Sequence, residues 1–99
     1  MPEIYLDPII LSELYFGAYR SDNPEKNLNK VALAIKDFKF LSIDDTTAHH
    51  FVSIKLDLFA KGRPIPENDV WIAASAMQHQ IAVYTKDAHF KNITTLNLI

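Results

Sequence analysis

The chain has 99 residues, of which 48% are apolar and 11% aromatic, and this predicts a single globular domain, residues 1–99, instead of a disordered chain. It contains no cysteine, which excludes disulfides, thiolate metal sites and a cysteine nucleophile. The net charge of −2 excludes a broadly basic nucleic-acid-binding protein, so any contact with RNA has to be local.

The N-terminal stretch MPEIYLDP has no apolar run of signal-peptide length, and no later run is long enough to span a membrane. We therefore expect a soluble cytoplasmic protein that does not bind a membrane. Ile4–Leu6 is a candidate strand. Asp7 and Pro8 then predict a helix that runs to about Arg20, because Asp is a good N-cap and Pro suits the first helical position.

The same two signals recur at Asn23 and Pro24, which predict the start of a second helix. An apolar stripe at helical spacing follows, formed by Leu28, Val31, Leu33, Ala34, Ile35 and Phe38. Phe40–Ile43 fits a short strand.

A third helix is predicted to start at the cap residues Asp44 and Asp45 and to end near Gly62, because glycine suits the left-handed conformation after a helix. Its apolar positions are Ala48, Phe51, Val52, Ile54, Leu56, Leu58 and Phe59.

A loop stiffened by Pro64 and Pro66 precedes a fourth predicted helix, from about Asn68 to His79. Ile81–Thr85 is then an apolar strand of the kind that a parallel sheet buries on both faces, and Leu96–Ile99 is a candidate edge strand. This order of elements predicts an α/β fold with a small parallel sheet. Sites in such sheets form at the carboxyl ends of the strands.

Three acids adjoin apolar sequence instead of a solvated helix face: Glu13, Asp69 and Asp87. A buried carboxylate is costly unless it is paired, hydrogen-bonded or bound to a metal. Converging carboxylates attract a divalent cation, and oxygen ligands favour Mg²⁺ or Mn²⁺ over Zn²⁺. Each acid also has an ordinary interpretation. Asp69 can cap its helix, Asp87 can start a turn, and Glu13 can reach solvent from the edge of its helix.

Four stretches of the sequence resemble motifs of a known protein family. GRPIPENDVWIAASA and IAVYTKDAHF resemble the third and fourth sequence blocks of PIN-domain proteins, especially the VapC-type toxins. IILSELYFGA resembles their second block, and SIDDTTAHHFVSIKLDLFAKG resembles the segment between. The resemblance extends from about Ile4 to Leu98.

This resemblance implies an α/β/α sandwich on a parallel sheet and a Mg²⁺- or Mn²⁺-dependent endoribonuclease acting on an RNA substrate. It also implies a cognate antitoxin protein as partner and a homo-oligomer. Glu13, Asp69 and Asp87 match the family's second, third and fourth acids, and so are implied as catalytic and metal-binding residues. Asn68 and Thr85 match flanking positions that support the site.

The family's first strand and the acid that ends it have no counterpart in this sequence. We therefore expect an N-terminally truncated, partial PIN-like domain with weak or no nuclease activity. Exposed apolar surface and unpaired strand edges then favour self-association. The alternative function is a non-catalytic PIN-domain remnant that serves as a binding or assembly module. Lys61, Arg63 and Lys86 are candidates for attracting RNA.

Overall fold

The computed structural model describes residues 5–82, and the chain divides into two compact units, Met1–Ser42 and Ile43–Ile99. The elements in chain order are β1 (Tyr5–Leu6), α1 (Pro8–Tyr19), α2 (Pro24–Ala34), a 3₁₀ turn (Ile35–Asp37), β2 (Lys39–Phe40), α3 (Asp45–Ala60) and α4 (Glu67–Gln78). The predicted α/β class is confirmed, whereas the single domain stays a prediction. Between residues 5 and 82, no helix combines the length and the apolar character needed to cross a membrane.

Within residues 5–82 the sheet consists of β1 and β2, which pair in parallel with Tyr5 opposite Lys39 and Leu6 opposite Phe40. Such pairing needs a crossover connection, and α1 and α2 provide it. The predicted strand Phe40–Ile43 is wrong in its bounds. The pairing is short because α1 starts directly after β1, with Asp7 as its N-cap. One more hydrogen bond follows the paired residues, from the amide of Leu41 to the carbonyl of Leu6 at 2.7 Å.

Both helices of the first unit begin at the predicted caps. The Asp7 carboxylate accepts a hydrogen bond from the amide of Ile10 at 2.9 Å, and the Asn23 side chain accepts one from the amide of Lys26 at 3.2 Å. Each cap satisfies an amide that the helix itself leaves unpaired. The hydrogen bond from Ile10 confirms the interpretation of Asp7, which is 2% exposed, as a helix cap.

The core of the second unit lies between α3 and α4. Its buried residues are Ile54, Leu58, Val70, Ala73, Ala74 and Ala76. The alanines of α4 occupy little volume, so larger side chains of α3 can pack against that helix. Beside this core, the rings of Phe51 and Trp71 stack with their centres 4.1 Å apart.

Only one face of α3 takes part in this core. Val52, Leu56 and Phe59 are exposed, although the sequence marks them as apolar helix positions. Successive helix residues are rotated by about 100°, so the seven apolar positions cannot all share one face. The helix therefore carries a second apolar stripe on its exposed side.

The helices α3 and α4 end in the same motif. After α3, the amide of Gly62 donates to the carbonyl of Phe59 and the amide of Arg63 donates to Leu58, both at 3.0 Å. After α4, the amide of Gln80 donates to Met77 at 3.2 Å and the amide of Ile81 donates to Ala76 at 2.8 Å. This pair of hydrogen bonds is the Schellman motif, which requires a residue in the left-handed conformation directly after the helix.

The left-handed residue is Gly62 after α3 but Gln80 after α4, with φ angles of 66° and 56°. Because a side chain disfavours this conformation, Gln80→Gly is expected to raise the free energy of unfolding by about 1 kcal/mol. Gly62→Ala is the opposite control and is expected to lower it by a similar amount. Urea denaturation measures both changes. Equal signs for the two substitutions would contradict this account of the helix ends.

Candidate functional site

Asp69 lies in the first turn of α4, a position that the loop before the helix determines. The helix begins after Pro66, whose carbonyl accepts hydrogen bonds from the amides of Asp69 and Val70 at 3.0 and 3.2 Å. Pro66 makes no side-chain cap. Pro66 nevertheless occupies the N-cap position, and Asp69 lies inside the helix. The alternative interpretation of Asp69 as the helix cap is therefore wrong.

The environment of Asp69 differs from that of the residues beside it. Glu67 and Asn68 are exposed, Asp69 is half-buried, and Val70 belongs to the core. A carboxylate in the first turn is also favoured by the positive end of the helix dipole. The acid thus sits at the boundary between the core and solvent, on a helix whose opposite side is packed against α3.

Glu13 lies in the middle of α1, in the other unit, and its side chain is exposed. Its neighbours Leu14, Tyr15 and Phe16 are large and also exposed. Exposure suits a ligand in an open metal site and equally a solvated helix face. Glu13 therefore stays a predicted site residue.

The third predicted ligand, Asp87, lies outside the described residues, as do Thr85, Lys86, residues 83–85 of the predicted strand and the predicted edge strand Leu96–Ile99. Among residues 5–82, no group of three or more acidic, histidine or cysteine side chains could hold a metal ion. The carboxylates of Glu13 and Asp69 have the oxygen chemistry that Mg²⁺ and Mn²⁺ prefer. A complete donor set nevertheless requires more than the described part of the chain supplies.

The predicted basic residues of the second unit differ in their pairing. The ammonium group of Lys61 forms an ion pair with Asp57 at 2.7 Å, one turn earlier on α3. Arg63 is exposed and follows the left-handed Gly62. Both side chains remain accessible at the entrance to the loop that leads to Asp69.

A polar cluster that sequence reasoning only half identified joins the start of α3 to the end of α4. Asp44 and Thr47 form the reciprocal capping box at the start of α3. The amide nitrogen of Gln78 donates to Asp44 at 2.9 Å, while the Thr47 hydroxyl donates to the amide oxygen of Gln78. The Asp-x-x-Thr spacing predicts the cap, but no local signal connects it with Gln78, which is distant in sequence.

This cluster changes the acidity of Asp44. The hydrogen bond from Gln78, followed by that from the amide of Thr47, holds the pKa of Asp44 below its usual range. Because the folded pKa lies below the unfolded one, the carboxylate stabilises the fold above the unfolded pKa, and this contribution is lost as pH falls through the folded pKa.

We therefore expect Asp44→Asn, which keeps a good N-cap but cannot ionise, to lose less stability than the wild type as pH falls below about 4. Urea denaturation across that pH range measures the difference, and the other acids titrate alike in both proteins. Parallel pH profiles would contradict the role assigned to Asp44.

The chain is similar in sequence to known proteins. The PIN domain family matches residues 1–96. Ribonuclease VapC2 of Haemophilus influenzae is 38% identical over 68 residues, a match that covers 69% of this chain and 52% of that protein. The chain thus spans about half the length of this relative.

Two solved structures are also similar. VapBC2 from Rickettsia felis, bound to a DNA fragment from their promoter, matches with a TM-score of 0.92 and 26% identity, over 98% of this chain and 74% of that one. VapBC-5 from Mycobacterium tuberculosis, a member of the VapBC family of toxin-antitoxin systems, matches with a TM-score of 0.78 and 25% identity, over 92% and 75% of the two chains. The predicted PIN-like fold is confirmed.

Proposed function

The chain belongs to the PIN-domain family, and from this membership we propose that it is a metal-dependent endoribonuclease of the VapC toxin type. The observation that carries the proposal is the position of Asp69, half-buried in the first turn of a helix that is packed against α3. The similarity to ribonuclease VapC2 supports RNA as the substrate class.

In this proposal Glu13, Asp69 and Asp87 hold one Mg²⁺ or Mn²⁺ ion. When bound, the ion lowers the pKa of a water molecule and neutralises charge that develops on the phosphodiester. The protein's own part is to hold the carboxylates in place, and the packed helix α4 does this for Asp69. Arg63, Lys61 and Lys86 are proposed to attract the RNA backbone, with Asp57 restraining Lys61 through their ion pair.

We further propose a cognate antitoxin, self-association of the chain and a cytoplasmic location. The similarity to a toxin-antitoxin structure supports the first of these. Large apolar side chains on the surface support association, since such groups are costly to leave in water. They are Leu14, Tyr15, Phe16, Tyr19, Leu33, Phe40, Val52, Leu56 and Phe59. A monomer at high concentration in sedimentation would exclude self-association.

RNA cleavage under controlled metal supply tests the proposed activity. We expect residues 1–99 to cleave single-stranded RNA slowly in Mg²⁺ or Mn²⁺ and not at all after chelation by EDTA, because three carboxylates alone would hold the ion weakly. Cleavage that survives EDTA would contradict the metal-dependent mechanism. Rapid cleavage would contradict the expected weakness.

A non-catalytic PIN-domain module is the second candidate function. Its specific support is the exposed position of Glu13 on α1, which suits a solvated helix face as well as a metal ligand. This candidate predicts no cleavage with either ion at any protein concentration, together with retained binding to an antitoxin. The same cleavage assay therefore separates the two functions.

A further inference from the structure

The first turn of α4 carries Asp69, and its N-cap residue, Pro66, makes no side-chain hydrogen bond to that turn. Pro66 contributes only its carbonyl, which accepts the hydrogen bonds from the amides of Asp69 and Val70. Helix ends without caps fray, because their first amides lack partners. A contact between α3 and the start of α4 therefore adds to the stability of this turn.

Lys55 on α3 provides such a contact. Its ammonium group lies 2.5 Å from a carboxylate oxygen of Glu67, the first residue of α4. The same ammonium lies 5.5 Å from the centre of the Phe51 ring and 5.8 Å from that of the Phe59 ring. These rings come one turn before and one turn after Lys55, and each attracts a cation. They restrict the position of the lysine and so reduce the entropy cost of the ion pair.

The aromatic contact extends to the next turn of α4. Phe51, which borders the Lys55 ammonium, also stacks on Trp71. Glu67 and Trp71 are one turn apart and so share the side of α4 that faces α3. Asp69 is rotated by about 200° from each of them. Lys55 therefore cannot act on a cation at Asp69 directly and acts through the backbone of the turn.

We propose that Lys55 is a positioning residue for Asp69. Its ion pair with Glu67 keeps the first turn of α4 closed and thereby fixes the carboxylate of Asp69 for a divalent cation. The part of this inference that concerns the cation rests on the proposed function, whereas the part that concerns the turn does not.

Amide hydrogen exchange in the full chain tests the turn. We expect Lys55→Met to speed exchange at the amides of Asp69 and Val70 by about two- to fivefold, the range that a partly exposed ion pair supports. Glu67→Gln should give the same increase, the double variant no more, and Lys55→Arg the wild-type rate. Unchanged exchange in Lys55→Met would overturn the proposal.

The chain offers a matched control in the Asp57–Lys61 pair. Its distance is 2.7 Å and its side chains are 52% and 33% exposed, compared with 67% and 36% for Glu67 and Lys55. This pair lies entirely on the α3 side of the loop. Asp57→Asn should therefore leave exchange at Asp69 unchanged, and an equal increase there would show a non-specific effect and overturn the proposal.

Titration with Mn²⁺, followed by quenching of Trp71, the only tryptophan, tests the consequence for the cation. Lys55→Met should weaken Mn²⁺ binding about two- to fivefold, Lys55→Arg should restore it, and Asp69→Asn should abolish it. If Asp69→Asn abolishes binding while Lys55→Met binds like the wild type, the positioning role is overturned and the proposed function stands. If Asp69→Asn binds like the wild type, the proposed metal site fails, and the part of the inference that concerns the cation is overturned with it.

Discussion

Asp69→Asn is expected to reduce metal-dependent RNA cleavage by roughly a hundredfold, which corresponds to about 3 kcal/mol of lost transition-state stabilisation. Asparagine has nearly the same shape as aspartate but lacks the charge that a divalent cation requires. The side chain is half-buried in the first turn of α4, so the substitution should leave the helix folded. Gel-based cleavage of single-stranded RNA, with Mn²⁺ binding as a second measurement, gives the effect.

Asp45→Asn is the matched control, because Asp45 also lies in the first turn of a helix of the second unit. Both variants lose a similar interaction with a helix dipole, worth about 0.3–1 kcal/mol. Asp45→Asn should keep wild-type cleavage. If the two variants lose activity equally, Asp69 has no special role in catalysis.

Leu58→Ala is expected to lower the free energy of unfolding by about 2–5 kcal/mol, because it removes a buried side chain and leaves a cavity between α3 and α4. Leu58 is 2% exposed and contributes to the core that holds the two helices together. Since small domains are stable by only about 5–15 kcal/mol, the loss is a large share of the total. Urea denaturation followed by the fluorescence of Trp71 measures it.

Leu56→Ala on the same helix separates burial from residue type. Leu56 is 63% exposed, so its truncation should change stability by no more than about 0.5 kcal/mol. A cost similar to that of Leu58→Ala would mean that Leu56 is covered in solution. In that case another surface would cover the second apolar stripe of α3 in solution.

The sequence predicted the helix starts well, because each depends on neighbouring residues. Asp7 with Pro8 and Asn23 with Pro24 are complete local signals, and the structure confirms both. The strand predicted at Phe40–Ile43 was misplaced because the extent of β2 depends on β1, its distant partner. The apolar positions of α3 do not identify its buried face either, since apolar character alone does not say which face meets another helix.

The candidate site was predictable only as far as family motifs reach. The motif singles out Asp69, and the structure adds that its helix begins at Glu67, after an N-cap residue, Pro66, that makes no side-chain cap. The contact between Lys55 and Glu67 had no sequence signal, because lysine and glutamate are common on helix surfaces and their pairing follows from the packing of α3 on α4. Motifs identify the ligands of a site more readily than the residues that hold those ligands in place.

The loop between α3 and α4 has a consequence for how fast this part of the chain folds. Only residues 61–66 separate the two helices, so the contacts between them require closure of a short loop. Local contacts of this kind form early, because little chain entropy is lost in bringing the partners together. We expect α3 and α4 to dock before the distant strands β1 and β2 pair. Stopped-flow fluorescence of Trp71, which stacks on Phe51, measures the docking, and pulsed hydrogen exchange at the amide of Leu41, which donates to Leu6, measures the pairing. The prolines at positions 64 and 66 restrict the backbone conformations of the unfolded loop. They therefore further reduce the entropy that is lost when the loop closes.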